Sequence, residues 1–270
     1  MKNFDPRVRA YLDDVIQVRD DLVSVILFGS AATGGFASAV SDADLIIVVR
    51  NDSSPESRRS LRAAEGELEI RHGLSDGRKP GALESFVNRI TGTAHSLFVC
   101  TRDDLLSGKP ARVFGVPAAQ AVFVDRIVIP GIVFSACTVW GEELRALIPL
   151  PQVRRLDVFK ALFSLLNQAL LFAELFPVLP NATRYAMGAL KHSVHSCYFC
   201  YHGRPAALEE EVAFFQSELG PAPALVQLLL LRREYGESFK FVVRCIPAVV
   251  RLHWRTAFGN RFPRSLEKQI

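Results

Sequence analysis

Apolar and polar positions alternate in two regimes along the chain. Up to about residue 148, short apolar runs are interleaved with stretches of helical spacing; beyond it the helical spacing is almost unbroken. Val23 to Phe28, stopped by Gly29, and Leu45 to Val49, entered through Ser41 and Asp42, read as buried strands. His95 to Thr101 reads as a third strand, and Gln120 to Ile129 as a further strand-like segment. Between them, helices are expected over Pro6–Leu22, where Val8, Tyr11, Leu12, Val15 and Ile16 recur at helical spacing, and over Glu56–Ile70 and Leu83–Ile90. Another is expected over Pro130–Leu147, with Trp140 and Leu144 on one side. Asn51–Pro55 is a turn, Gly73–Gly81 a surface loop, and Ser107–Pro117 a Gly/Pro-punctuated connection.

Pro149-Leu150-Pro151 reads as a linker, after which helices are expected over Asp157–Phe176, Thr183–Tyr201, Ala206–Leu219, Leu225–Tyr235 and Phe239–Phe258, the last kinked at Pro247. Glu209, Glu210 and Glu211 fall on the first turns of the third, where the helix dipole favours them. Asp157–Phe176 is apolar enough to invite a membrane reading. Lys160, Asn167, Gln168 and Glu174 interrupt it, so a buried bundle helix is expected and no membrane partner. The expected architecture is α+β: a small sheet flanked by helices over residues 1–148, then an all-α bundle over 152–270.

Composition narrows this little. With 49% apolar and 22% charged residues in 270, the chain is globular and not disordered. A net charge of +4 permits anionic small substrates and falls short of a nucleic-acid-coating protein. No signal peptide is read in the first residues, because MKNFDPRVRA continues into acidic and polar positions. Cys100, Cys137, Cys197, Cys200 and Cys245, odd in number and in apolar surroundings, suggest free thiols in a reducing cytoplasm.

The chemistry concentrates between the first two strands. On a strand, alternate side chains share a face, so Asp42 and Asp44 project together. Two carboxylates so close repel each other unless a cation lies between them, and oxygen ligands of this kind suit Mg²⁺ or Mn²⁺ carrying substrate phosphates. Upstream, Gly29 lets a phosphate approach the backbone, and Ser30 offers a hydroxyl and an amide where a helix begins.

Gly29-Ser30, eleven intervening residues, then Asp42-Ala43-Asp44 leading into an apolar strand resembles the DNA polymerase β-like nucleotidyltransferase superfamily. The resemblance implies a mixed sheet backed by helices, with Gly29 and Ser30 holding the phosphates of an NTP. It also implies that Asp42 and Asp44 hold two divalent ions that activate an acceptor hydroxyl and stabilise the departing pyrophosphate. Superfamily members commonly carry a third carboxylate on a later strand. His95–Cys100 has none, which leaves Glu69, Asp103, Asp104 or Asp125 as substitutes, or His95 as a base; Asp103 and Asp104 fit better as caps for the segment that begins at Leu105. The helical half resembles that of the small-molecule and antibiotic-modifying branch, which points to a small hydroxyl-bearing acceptor. The alternatives are the same chemistry on tRNA or protein, and a nucleotide-sensing relative with little catalysis.

Three groups in the helical half bear on this. Lys191, on one face with Arg184, is the candidate to meet nucleotide phosphates, as helical-domain residues do in related enzymes. Lys240, Arg244, Arg251 and Arg255 fall in one stripe of the last helix, followed by Arg261 and Arg264; the stripe is a solvated face or a track for RNA. His192, His195, Cys197, Cys200 and His202 do not converge in one helix, so core cysteines with partly buried histidines are expected in place of zinc.

Overall fold

Alternation along the first two strands divides their side chains between two cores. In the computed structural model, Leu27, Leu45 and Ile47 pack on one face of a sheet, and Ile26, Ile46 and Val48 on the other. The structure describes residues 5–17, 21–33, 44–74, 77, 80–91, 96–116, 126–150 and 152–259. In the first half, α1 (Pro6–Gln17) leads into β1 (Leu22–Phe28), α2 (Gly29–Thr33), β2 (Asp44–Val49), α3 (Pro55–Arg71) and α4 (Ala82–Thr91). Then come β3 (Leu97–Thr101), two short helices α5 (Arg102–Leu106) and α6 (Pro110–Val113), α7 (Val128–Ser135) and β4 (Cys137–Gly141). The sheet order is β3-β2-β1-β4; β1 is antiparallel to β2 and β4, and β2 is parallel to β3. α1 and α3 cover the face of Leu27 and Leu45, and α7 the face of Ile26 and Ile46. The fold is α+β, with a four-stranded mixed sheet flanked by helices and a helical region after it.

Two expected helices differ from the structure. The first ends at Gln17, and Leu22 already belongs to β1, where it pairs with Val49 and buries its side chain with the sheet core. The stretch Pro130–Leu147 is not one helix. It is the end of α7, strand β4 and a single 3-10 turn at Arg145–Leu147. Cys-Thr-Val-Trp is β-favouring, and β1 has an edge that must be paired, so Thr138 and Trp140 go opposite Ile26 and Val25. The helical spacing of Trp140 and Leu144 was coincidental. Likewise Val128 and Ile129, expected at the end of a strand, open α7; residues 120–125 lie outside the described ones.

The second half is α8 (Arg155–Leu175), α9 (Ala182–His202), α10 (Leu208–Leu219), α11 (Pro223–Arg233) and α12 (Phe239–Phe258), with Pro247 inside α12. α8, α9 and α12 pack against one another around Phe172, Leu190, Phe241 and Cys245, and α10 and α11 close one side with Phe215 and Leu228. Asp157 is buried but accepts from the Arg154 amide at 2.9 Å, holding the start of α8. Gly203, at φ 65°, ends α9 in the left-handed conformation that favours glycine. Phe172 is fully buried and stacks on Tyr185 at 5.4 Å. Phe172→Ala should therefore cost about 3–5 kcal/mol, read as a lowered urea midpoint at unchanged slope.

The halves meet through side chains. Val87 of α4 joins the core of the helices, the Tyr185 hydroxyl donates to Asn88 Oδ1 at 2.7 Å, and Ile127 packs with Val158 and Phe199. Cys100, Cys197, Cys200 and Cys245 are buried free thiols, Cys137 a half-buried one; burial pushes the Cys100 thiol up to about 12. Among the described residues α8 alone is long and apolar enough to cross a membrane, and it packs against α9 and α12.

Candidate active site

The sheet brings Gly29 and Asp44 together. Gly29 follows the last residue of β1, and Asp44 is the first residue of β2, opposite Phe28 in the ladder. Gly29 has φ +69°, where the chain leaves the strand and begins α2. A Cβ built there would lie 2.2 Å from Asp44 Oδ2. The carboxylate therefore occupies the space that any other residue's side chain would fill, which is the physical reason for glycine at this position. Asp44 shares the sheet face of Ile46 and Val48 yet is only partly buried at the strand mouth, so its carboxylate is anchored on a rigid strand and open at one end.

The Ser30 backbone lies in the first turn of α2. Asp42, Asp125 and His95 are outside the described residues.

The candidates for a third carboxylate separate by position along the sheet. β2 and β3 run parallel, with Leu45 beside Leu97 and Val49 beside Thr101. Asp103 and Asp104 follow Thr101, and so stand at the opposite end of the strands from Asp44, roughly 15 Å away at the rise of an extended chain. There Asp104 closes a capping box, its carboxylate accepting from the Thr101 amide at 3.4 Å while the Thr101 hydroxyl accepts from the Asp104 amide at 3.2 Å. They serve α5, and neither reaches the Asp44 end. Glu69 is at the correct end. Its Oε1 accepts from the Ser96 hydroxyl at 2.5 Å, and the Ser96 carbonyl accepts from the Leu45 amide at 2.7 Å, one residue after Asp44. Sequence spacing did not single out Glu69, because its relation to Asp44 runs through the parallel pairing of β2 with β3.

Lys191 is half-buried midway along α9, with Arg184 exposed two turns earlier. The neighbouring Tyr185 reaches α4; burial first, and then the Glu84 carboxylate, push its hydroxyl up, so it stays a donor to Asn88. In the His/Cys group of α9, Cys197 and Cys200 are buried and His192 and His195 are half-buried. His195 Nδ1 lies 2.5 Å from the fully buried Glu211 carboxylate, His202 stacks on Tyr198 at 4.2 Å, and no group of three metal-ligating side chains occurs among the described residues. The basic stripe of α12 is divided. Arg255 is 3.7 Å from Glu218 and Arg251 donates to the Leu219 carbonyl, while Lys240 and Arg244 line a shallow cavity of about 850 Å³ between α11 and α12. Arg261 and Arg264 are outside the described residues.

A strand, a tight glycine, a short helix and a second strand opening on a carboxylate follow one another over Leu22–Val49. Residues 10–75, which hold this unit, match the family model described as the nucleotidyltransferase domain. Across the whole chain the fold is similar to that of spectinomycin adenyltransferase AAD(9) from Enterococcus faecialis, solved with ATP and spectinomycin. The TM-score is 0.51 at 12% identity, covering 91% of this chain and 98% of that one. A comparison with curated proteins finds no match to the sequence. The likeness to the adenyltransferase is one of fold and extends through the helical half, whereas the family match is confined to the sheet half.

Proposed function

We propose that this protein transfers a nucleoside monophosphate from an NTP to a hydroxyl of a small-molecule acceptor, releasing pyrophosphate, with Mg²⁺ or Mn²⁺ as cofactor. The observation that carries this is the Asp44 carboxylate seated over the bare Cα of Gly29 at the mouth of two adjacent strands. The matching of residues 10–75 to the nucleotidyltransferase domain supports the class of reaction. The fold shared with an adenyltransferase solved with ATP and spectinomycin supports a small acceptor.

The donor set fits the metal. Asp44 with Asp42 is an all-oxygen pair of the hard kind that Mg²⁺ and Mn²⁺ prefer. The bound ion would supply charge neutralisation on the phosphates and on the departing pyrophosphate. The chain's own contribution is placement: Gly29 and Ser30 present backbone amides to the triphosphate, and Lys191 offers a cation from the helical half. The acceptor oxygen forms its bond to the α-phosphorus as the bond from that phosphorus to the bridging oxygen breaks, and the acceptor's proton passes to a carboxylate. We assign this role to Glu69, supported by its bond from the Ser96 hydroxyl and by the Ser96 carbonyl's bond from the Leu45 amide, one residue after Asp44. Glu69→Gln should lower kcat about 10²-fold with KM within about threefold, whereas a packing role alone would lower the melting temperature and leave kcat in place.

The test is pyrophosphate release from each of the four NTPs with Mg²⁺ or Mn²⁺, supplied first with a metabolite extract and then with total RNA. Release that depends on the metabolite extract bears the proposal out; release that depends on RNA moves the acceptor to tRNA-like substrates. One observation favours a second reading. β3, Leu-Phe-Val-Cys-Thr, carries no carboxylate beside β2, which fits nucleotide sensing with little catalysis, and that reading holds if ATP binds and no acceptor yields pyrophosphate.

A further inference from the structure

We infer that α8 is the interface of a symmetric homodimer, formed by its antiparallel pairing with the same helix of a second copy. Among the described residues α8 is the one helix long and apolar enough to cross a membrane, yet only 33% of its most apolar stretch is buried, although it packs on α9 and α12. Its outward side carries Leu156, Phe163 and Leu170, which are 62%, 59% and 41% exposed. These recur every seven residues, so they form one row along the helix. Lys160, Asn167 and Glu174 recur at the same interval, four positions later, and form a second row about 40° away. Together they make a stripe in which large apolar side chains alternate with one cation, one amide and one anion. Among the described residues neither Lys160 nor Glu174 forms an ion pair.

The order along this stripe is self-complementary. Asn167 lies midway between Lys160 and Glu174, and also midway between Leu156 and Val178, which comes after α8 and is 63% exposed. A two-fold axis passing at Asn167 would set each Lys160 against Glu174 of the partner subunit and Leu156 against the partner's Val178, with Phe163 falling opposite the partner's half-buried Leu171. This is what an isologous contact requires: one surface that matches itself after a half-turn. α12 widens the face, because Phe258 lies 5.8 Å from Phe159 at one end of α8 and Phe239 lies 5.2 Å from Phe176 at the other. Trp254, Phe258 and Phe239 are each more than half exposed there. An exposed apolar patch over two helices marks a docking surface. The charge order chooses its occupant. An anionic lipid surface would meet the Asn167 amide in the middle of its apolar contact and the Glu174 carboxylate at one end of it, whereas a second copy matches both.

Sedimentation velocity of the full chain from ~1 to ~100 µM tests this independently of catalysis. The expected result is a concentration-dependent dimer. Lys160→Glu should raise its dissociation constant at least ~10-fold, since it sets two pairs of like charges face to face. Glu174→Lys should do the same, and the double variant Lys160→Glu/Glu174→Lys should return to the wild-type constant, with far-UV circular dichroism unchanged in all three. A wild type that stays monomeric to ~100 µM overturns the inference, as does a double variant no tighter than either single one. Wild type that remains monomeric but co-sediments with phosphatidylserine vesicles overturns it too, and assigns the face to lipid.

Discussion

Asp44→Asn is expected to reduce pyrophosphate release at least ~10³-fold while leaving the fold intact. Asn has the shape of Asp, so the ladder pair with Phe28 and the fit over Gly29 survive. The negative charge that would hold a divalent ion is lost, and a metal's contribution to charge stabilisation in the transition state amounts to several kcal/mol, which is a thousandfold or more in rate. The measurements are kcat from pyrophosphate release beside a melting temperature within ~2 °C of wild type. A variant that retains its rate within tenfold would remove Asp44 from the reaction. ATP affinity measured on the same variant separates the two functional readings: an enzyme loses metal-dependent binding together with turnover, whereas a sensor keeps its ATP affinity with little change.

Gly29→Ala should be nearly as damaging to activity, for a different reason. At φ +69° an L-residue costs about 1–2 kcal/mol. Its Cβ would also meet Asp44 Oδ2 at 2.2 Å, so the carboxylate must move. A displacement of about 1 Å at a positioned group lowers rates by about 10²-fold, so kcat/KM should fall by about that factor together with a loss of about 1–2 kcal/mol in unfolding free energy. Gly66, within α3 and with nothing within 4 Å of a built Cβ, is the control: Gly66→Ala should leave activity unchanged and stabilise by about 0.5–1 kcal/mol. Equal effects at both positions would show that Gly29 matters only for chain conformation in general.

The elements legible in the sequence were those whose signal is local. β1 and β2 were read from short β-branched runs bounded by glycine and aspartate, and the structure adds one residue to the front of each. The helices of the second half were read within a few residues of their ends, because Pro177, Gly203 and Pro205 stop chains wherever they occur. The pairing of Gly29 with Asp44 was implied by their place on either side of one connection. What failed was β4. Five residues of mixed pattern next to an apolar helix carry too little periodicity to declare a strand, and what makes them one is the free edge of β1.

The same division holds for the site. The sequence by itself determined that a glycine and an aspartate stand at the junction of two buried strands, since alternation in a strand and the geometry of glycine are properties of the chain alone. Only the tertiary structure decided which acids share that end of the sheet. The parallel pairing of β2 with β3 carries Asp103 and Asp104 away to the far end and leaves Glu69, through Ser96, beside the residue next to Asp44. Strand pairing joins positions far apart in the chain, and no local pattern encodes which strand will be the neighbour or which way it will run.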